Sequence, residues 1–345
     1  MAREKIISQE QLGPEDEQFN SALRPESLDA CIGMSDLLEK LSISITAARQ
    51  RNEPMEHVLL HGPPGLGKTT LAYVIANEMQ STIRVSSGPA LTRPSDLIGI
   101  LTNLESRDVL FIDEIHRLSP AVEEYIYPAM EDYKVDFIVD SGMHSRTINL
   151  PLKPFTLLGA TTRSGMLSPP LRTRFGITHH LEFWTPADLM KRCRMSADML
   201  NLRYEEDALA MLADRARGTP RIANRLLRRC RDYAQVKGDG HLTVGSVEAA
   251  LELEGIDQLG LDELDRSFLR RIIEIYKGGP VGIEAVAATL GEETDTLVDV
   301  VEPFLLQNGL LARTRRGRMV TARAYRHLNV SDTPPQEQGE LFDEQ

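Results

Sequence analysis

One short loop constrains this chain more than any other stretch. Residues 57–72, HVLLHGPPGLGKTTLA, pass from an apolar run through three glycines and two prolines into a segment of helix formers. Gly62-x4-Gly67-Lys68-Thr69 is the spacing of a P-loop, in which backbone N–H groups surround a phosphate chain and glycines leave room that side chains would fill. Gly65 sits inside the loop and Thr70 follows it. The helix that starts there adds positive potential at its N-terminus. In such a loop the lysine, here Lys68, reaches the β- and γ-phosphates, and the Thr69 hydroxyl ligates Mg²⁺. A bare glycine–proline turn needs neither a strand before it nor a helix after it. Both flanks are present, so the loop predicts an α/β P-loop domain around a parallel sheet.

Two further runs, DVLFIDE and FTLLGATT, are apolar throughout, which suits central strands covered on both faces. Asp113 and Glu114 close the first run, at the carboxyl edge where open α/β sheets bind their ligands. Asp113 suits a Mg²⁺ shell and Glu114 the orientation of an attacking water. Alone, an acidic pair after a strand is common and reads better as a solvated cap. Behind a P-loop it points to hydrolysis, because a nucleotide kinase would need an acceptor site instead. His116, next to the pair, is expected to pack behind the acidic edge rather than to take part in chemistry.

At 345 residues the chain is long for one domain. After FWTPADL the texture becomes helical, with Leu209, Leu212, Ala213 and Ala216 at helical spacing, then Ile222, Leu226, Cys230 and Tyr233. Past a linker-like break at LEGIDQLGLDEL, Leu264, Phe268, Leu269, Ile272 and Ile273 line one helix face. A helix from Ile283 to Leu290 stops at Gly291. The next carries Leu297, Val300, Val301, Phe304 and Leu305, with a kink expected near Glu302 from Pro303. LLARTRRGRMVTARAY then reads as a β-hairpin. Three helices followed by a hairpin is the order of a winged-helix domain. The expected plan is therefore a flexible 1–20, an α/β ATPase domain at 21–183, a helical lid at 184–256, a winged helix at 257–330 and a disordered polar tail at 331–345.

No apolar run approaches the ~20 residues of a membrane span, and the first 20 residues lack the apolar core of a signal peptide. Cys31, Cys193 and Cys230 are too few and too scattered for a disulfide framework or a zinc site. A cytoplasmic location is the simplest expectation, with no metal beyond nucleotide-bound Mg²⁺. The net charge of −12 argues against a chain coated in nucleic acid. Locally the balance reverses. Between Pro303 and Ser331 there is no acid, while Arg313, Arg315, Arg316, Arg318, Arg323 and Arg326 accumulate. Arginine offers planar donors to phosphate oxygens, which suits contact without sequence preference; a solvated basic hairpin is the plainer alternative.

Taken in order, Gly62–Thr70, FIDEIH, LLGATTR, LRTRFG and GTPRIANR resemble the AAA+ ATPases. The DEIHRL form, the LRPESLDACIG opening and the winged-helix ending are similar to one branch of them, the RuvB family of Holliday junction branch-migration motors, over roughly 23–328. The resemblance implies roles residue by residue. Thr162 falls at the first nucleotide sensor. Arg174 falls at the arginine finger that one subunit inserts into its neighbour's site, and Arg221 at a second sensor on the lid. Leu23, Arg24 and the turn Glu131-Asp132-Tyr133 match positions that line the nucleotide. Trp184 stands where the family usually has tyrosine, and either stacks near the adenine or packs the hinge to the lid. Plainer readings are surface charge for Arg172 and Arg174, and a salt bridge on a basic helix for Arg221.

Arg313 and Arg318 match DNA contacts on the wing, while a third such position falls on the uncharged Thr294. YKVDFIVDSGMHSRTINLPLKPF alternates apolar and polar residues about DSGMHS and reads as an exposed hairpin. Its Ile138, Val139, Met143 and Ile148 offer an apolar surface, which the resemblance makes the docking surface for RuvA. The implied activity is ATP hydrolysis that pulls duplex DNA through a hexameric ring, driving branch migration in recombination and repair, with RuvC as a further partner. The rival reading is a clamp-loader-like or initiator ATPase that switches assemblies on DNA without pulling. It shares the P-loop, finger and lid, but the arginine wing favours the motor.

Overall fold

The computed structural model describes residues 19–139 and 146–330. The expected loose segments at the two termini and the hairpin tip with Met143 lie outside the described residues, apart from residues 19 and 20. Seven strands come first: β1 (Val58–His61), β2 (Ile83–Ser87), β3 (Val109–Asp113), β4 (Lys134–Val139), β5 (Arg146–Pro151), β6 (Thr156–Thr161) and β7 (Ile177–His180). Five of them form one sheet in the order β2-β3-β6-β1-β7. Every pairing in it is parallel, so all carboxyl ends share one edge.

Alternation along the strands splits their side chains between two cores. Leu59, Leu110, Ile112 and Leu157 face one core, with Val122, Ile126, Leu171 and Phe175. Val58, Leu60, Val109, Phe111, Leu158 and Ala160 face the other, with Leu41, Ile45, Leu71 and Ile75. Burying each large aliphatic group contributes roughly 1.5–3 kcal/mol. The runs expected as strands are β1, β3 and β6. The two edge strands, β2 and β7, carry no such signal, because an edge strand is half covered and lacks a continuous apolar run; Val85 of β2 is exposed. The expected hairpin before the sensor strand is β4 paired antiparallel with β5, from Lys134↔Pro151 to Val139↔Arg146. Ile148 on it is exposed.

The described chain divides into two compact units, one reaching to Arg192 and including Thr219–Arg221, the other Cys193–Gly218 with Ile222 onward. The second unit begins with a helical part that includes Glu206–Arg215 and Val244–Leu253. A two-residue parallel pairing, β8 (Arg203–Tyr204) with β9 (His241–Leu242), interrupts the expected all-helical pattern and is too short to show any periodicity. The winged helix follows with helices Glu263–Tyr276 and Ile283–Leu290, then a third from Thr294 to Gln307. Its hairpin is β10 (Leu311–Thr314) with β11 (Gly317–Val320), and a short closing helix, Ala322–His327, was not expected.

Gly291 is left-handed and its N–H returns to Ala287 O, as a glycine stop requires. Where a kink near Glu302 is expected, the helix has a π-helical stretch, Leu297–Val301, ahead of Pro303. Phe268, Leu269, Ile272, Val286, Leu297, Phe304 and Leu305 fill the winged-helix core. No helix among the described residues is long and apolar enough to cross a membrane.

Candidate functional site

The P-loop leaves β1 at the carboxyl edge of the sheet and enters the helix Lys68–Glu78. Gly62 is left-handed, and a Cβ on it would lie 2.3 Å from Leu181 O, so only glycine permits the chain to pass here. Lys68 is buried at the head of the helix, with Nζ donating to Gly62 O at 2.7 Å and Pro63 O at 2.8 Å. The ammonium thus holds the loop in its cradle shape. Burial pushes it down to about 8; Asp113 opposes that shift and Arg221 adds to it.

Thr69 Oγ1 donates to Asp113 Oδ2 at 3.3 Å, joining the loop to the end of β3. Asp113 Oδ1 accepts from the Glu114 N–H at 2.9 Å. Glu114 turns the chain with a left-handed backbone, φ 46°, a conformation that costs a side-chain-bearing residue about 1–2 kcal/mol. Gly88, just past β2, allows that turn, since a Cβ there would lie 2.4 Å from Glu114 O. The Glu114 carboxylate meets Arg117 Nη1 at 3.0 Å. These groups make an oxygen-donor pair, Thr69 and Asp113, beside the P-loop. Such donors fit a hard cation that keeps water and phosphate oxygens as its other ligands.

Arg221 and Thr162 belong to the same edge, and Leu23, Arg24 and Trp184 have contacts of their own. Arg221, on the first turn of the helix Pro220–Lys237, is close enough to Lys68 to act on its charge. Thr162 is half-buried and follows the end of β6. Its neighbour Thr161 is buried, with Oγ1 2.9 Å from His116 Nδ1 and accepting from the Arg163 N–H at 3.0 Å. His116 therefore ties the turn after β3 to the end of β6, a link that packing alone did not suggest. Leu23 is buried and its carbonyl accepts from Arg192 Nη2 at 2.8 Å. The Arg24 guanidinium lies 4.5 Å from the ring centroid of Tyr73, on the P-loop helix. Tyr73 sits four residues past Thr69, so helical spacing was the available signal for it; nothing in the sequence pointed to Arg192. Trp184 packs on the core beneath that helix, and its indole N–H is buried without a hydrogen-bond partner among the described residues.

Arg174 and the turn Glu131-Asp132-Tyr133 are placed elsewhere. Arg174 lies three residues before β7, whose first N–H bonds His57 O just ahead of β1. Its Nε is 3.1 Å from Glu131 Oε1, an ion-pair distance without hydrogen-bond alignment. Its guanidinium stacks 4.4 Å from the Tyr127 ring centroid. The Tyr133 ring meets His57 and Phe155, which precede β1 and β6, and Asp132 pairs with Lys134. All four residues thus sit at the amino edge of the sheet. They do not line the P-loop of their own chain, because β1, four residues or about 10 Å long, lies between.

On the wing, Arg313 and Arg318 are cross-strand partners. Arg313 is exposed, with Arg315, Arg316, Arg323 and Arg326. Arg318, expected as a second DNA contact, has a different placement. Its guanidinium grips both oxygens of the buried Glu302, through Nε to Oε1 and through Nη2 to Oε2 at 3.1 Å. A buried carboxylate demands such a partner, and Glu302 lies just ahead of the acid-free stretch from Pro303 to Ser331. Thr294 begins the third winged-helix helix and brings no charge.

A P-loop after β1, an acidic pair after β3, a helical segment carrying Arg221 and a winged helix beyond it define a P-loop ATPase of the AAA+ class. The chain matches the models of the Holliday junction DNA helicase RuvB P-loop domain over residues 23–181, the RuvB AAA lid domain over 184–257 and the RuvB C-terminal winged helix domain over 258–329. The Holliday junction branch migration complex subunit RuvB of Kosmotoga olearia is 53% identical over 328 residues, 95% of each chain. The solved structure of the Thermotoga maritima RuvB Holliday junction branch migration motor superposes with a TM-score of 0.82 at 52% identity, covering 89% of this chain and 98% of that one. A point mutant of the same protein gives 0.83 at 51% identity over the same shares. The chain belongs to the RuvB family.

Proposed function

We propose that this chain is an ATP-driven motor for Holliday junction branch migration, with each nucleotide held at a boundary between two protomers. The observation that carries the reading is the placement of Arg174 at the opposite edge of the sheet from Lys68. A cation that must meet the transferring phosphoryl group can do so from there only in a neighbour's site, and such a finger is worth roughly 10³–10⁵ in rate.

Within one protomer, Gly62, Gly65, Gly67, Thr69 and Thr70 present the loop and helix N-terminus to the phosphates. Lys68 turns from its loop carbonyls to the β- and γ-phosphates. Leu23, Arg24 and Trp184 line the adenosine end, where the unpaired indole N–H gains an acceptor. Thr69 and Asp113 would hold Mg²⁺, which neutralises charge on the phosphates when bound. Glu114 orients the attacking water and takes its proton, Thr162 reads the γ-phosphate, and Arg221 brings the lid to it. From the neighbour, Arg174 enters with Glu131, Asp132 and Tyr133 around it.

Because each site needs two chains, turnover requires a closed ring, which we take to be a hexamer acting in the cytoplasm. Arg313 and the exposed arginines beside it track the DNA backbone, while Arg318 anchors the wing to Glu302. The β4–β5 hairpin docks RuvA at the junction, with RuvC as a further partner. The test is migration of a synthetic four-way junction. It should proceed with ATP and RuvA and stop when ADP replaces ATP; no migration under either condition would refute the motor.

A further inference from the structure

Among the described residues, the largest fully buried side chain is a charged one, Arg217. It lies in the turn between the helices Glu206–Arg215 and Pro220–Lys237, four residues before Arg221. Its backbone is left-handed, φ 56°, and that of Gly218 follows suit at 66°. A non-glycine residue held there stores strain, and such strain persists only where the surroundings over-determine the position.

Four of its surrounding groups come from the winged-helix side: Gly260, Asp262, Asp265 and Phe304. Arg217 Nε donates to Gly260 O at 2.8 Å. Both of its terminal nitrogens reach the Asp265 carboxylate, Nη1 to Oδ1 at 3.5 Å and Nη2 to Oδ2, and Nη2 also lies 3.9 Å from Asp262 Oδ1. The guanidinium carbon sits 4.7 Å from the Phe304 ring centroid. Asp265 is fully buried and is itself fixed by a reciprocal cap with Asp262 at the head of the helix Glu263–Tyr276.

The connecting segment is pinned as well. A Cβ on Gly260 would lie 2.7 Å from Arg215 O. Arg266 donates to Leu261 O at 2.7 Å and to Gly255 O at 2.8 Å. Asp257 Oδ2 meets His327 Nε2 at 2.8 Å, on the closing helix beyond the wing. A buried ion pair of this kind adds little net stability over well-packed apolar residues. What it fixes is geometry.

We propose that Arg217 is a positioning residue for force transmission: clamped to Asp265 and Phe304, it makes the helical lid and the winged helix one body, so that a nucleotide-dependent shift of Thr219–Arg221 is delivered to the arginine wing. Thr219–Arg221 group with the P-loop unit, whereas Arg217 belongs with the winged helix, so the chain passes from one unit to the other just after Gly218. The inference rests on the motor reading above and adds the coupling element to it.

The experiment replaces the pair by apolar residues, Arg217→Met with Asp265→Leu, and compares it with wild type, Arg217→Lys and the isosteric Asp265→Asn in the full chain. Thermal unfolding, ATP hydrolysis without DNA, duplex binding and junctions resolved per ATP consumed are measured with RuvA. Wild type must migrate the junction in the same assay, and its failure would sink the motor reading itself. The proposal expects the double variant to fold, hydrolyse ATP and bind duplex as wild type does, with junctions resolved per ATP falling about ten-fold or more. Arg217→Lys should recover part of that loss. Wild-type efficiency per ATP in the double variant overturns the proposal. So does a parallel fall of hydrolysis and migration that leaves their ratio unchanged, since a structural role alone would produce it. If the double variant does not fold, Asp265→Asn carries the same test by the same ratio.

Discussion

The two edges of the central sheet carry complementary groups. At the carboxyl edge the charged groups are held by their own chain: Lys68 by the loop carbonyls and Asp113 by Thr69 and a backbone N–H. At the amino edge Arg174 rests on Glu131 and Tyr127 with nothing of the P-loop near it. One edge is a cradle that already holds the Lys68 ammonium, the other a guanidinium set apart from the P-loop. On the reading proposed above, each is half of a catalytic site, and the comparison teaches that assembly, rather than side-chain movement inside one chain, would complete it.

The sharpest way to break that comparison is Arg174→Ala. Hydrolysis should fall by roughly 10³–10⁵ while nucleotide affinity holds, as fluorescent-nucleotide titration beside steady-state turnover would show; surface charge alone predicts no loss. Glu114→Gln acts on the other edge and should slow the chemical step by about 10²–10⁴ without releasing ATP, visible in single-turnover quench experiments.

The wing offers the same contrast in smaller form. Arg318→Ala should cost about 3 kcal/mol in unfolding free energy because it strands buried Glu302, whereas Arg313→Ala should leave denaturation unchanged and reduce the salt slope of duplex binding by about one. Equal effects of the two variants on both measurements would erase the distinction.

The smallest effect concerns acid. His57, at the amino edge, accepts the Leu157 N–H at Nδ1, so its Nε2–H donates to Met130 O. Burial lowers its pKa below the ordinary value. The folded form stays neutral while the unfolded chain takes up a proton near pH ~6.5. Stability is therefore full above that pH and declines below it by about 1 kcal/mol per pH unit until the folded pKa is reached. Melting curves from pH 7.5 to 5.5 should show the decline in wild type and a flatter profile in His57→Gln.

How much of this was legible beforehand follows from the range of each interaction. The P-loop is a local object, and Asp113 ends an unmistakable apolar run, so Lys68, Thr69 and Asp113 could be read directly. The hairpin of the wing and the stop at Gly291 are local too. The long-range ties were not legible: Leu23 to Arg192 spans 169 positions, and the Thr161–His116 link joins two strand ends that become neighbours only in the sheet. Arg318 looked like one more wing arginine because its partner, Glu302, lies one residue outside the acid-free stretch. Glu131, Asp132 and Tyr133 show a further limit. Resemblance implies a nucleotide-lining role for them, but a linear pattern does not say which edge of the sheet they occupy.

The central claim, a site shared across protomers, is tested most directly by mixing two dead variants. Lys68→Ala keeps the finger and loses the cradle; Arg174→Ala keeps the cradle and loses the finger. Each alone should be inactive, and an equal mixture should regain turnover at about one boundary in four, the share that random assortment in a ring makes whole. A mixture as silent as its parents, or an Arg174→Ala protein that hydrolyses ATP at the wild-type rate by itself, would contradict the account.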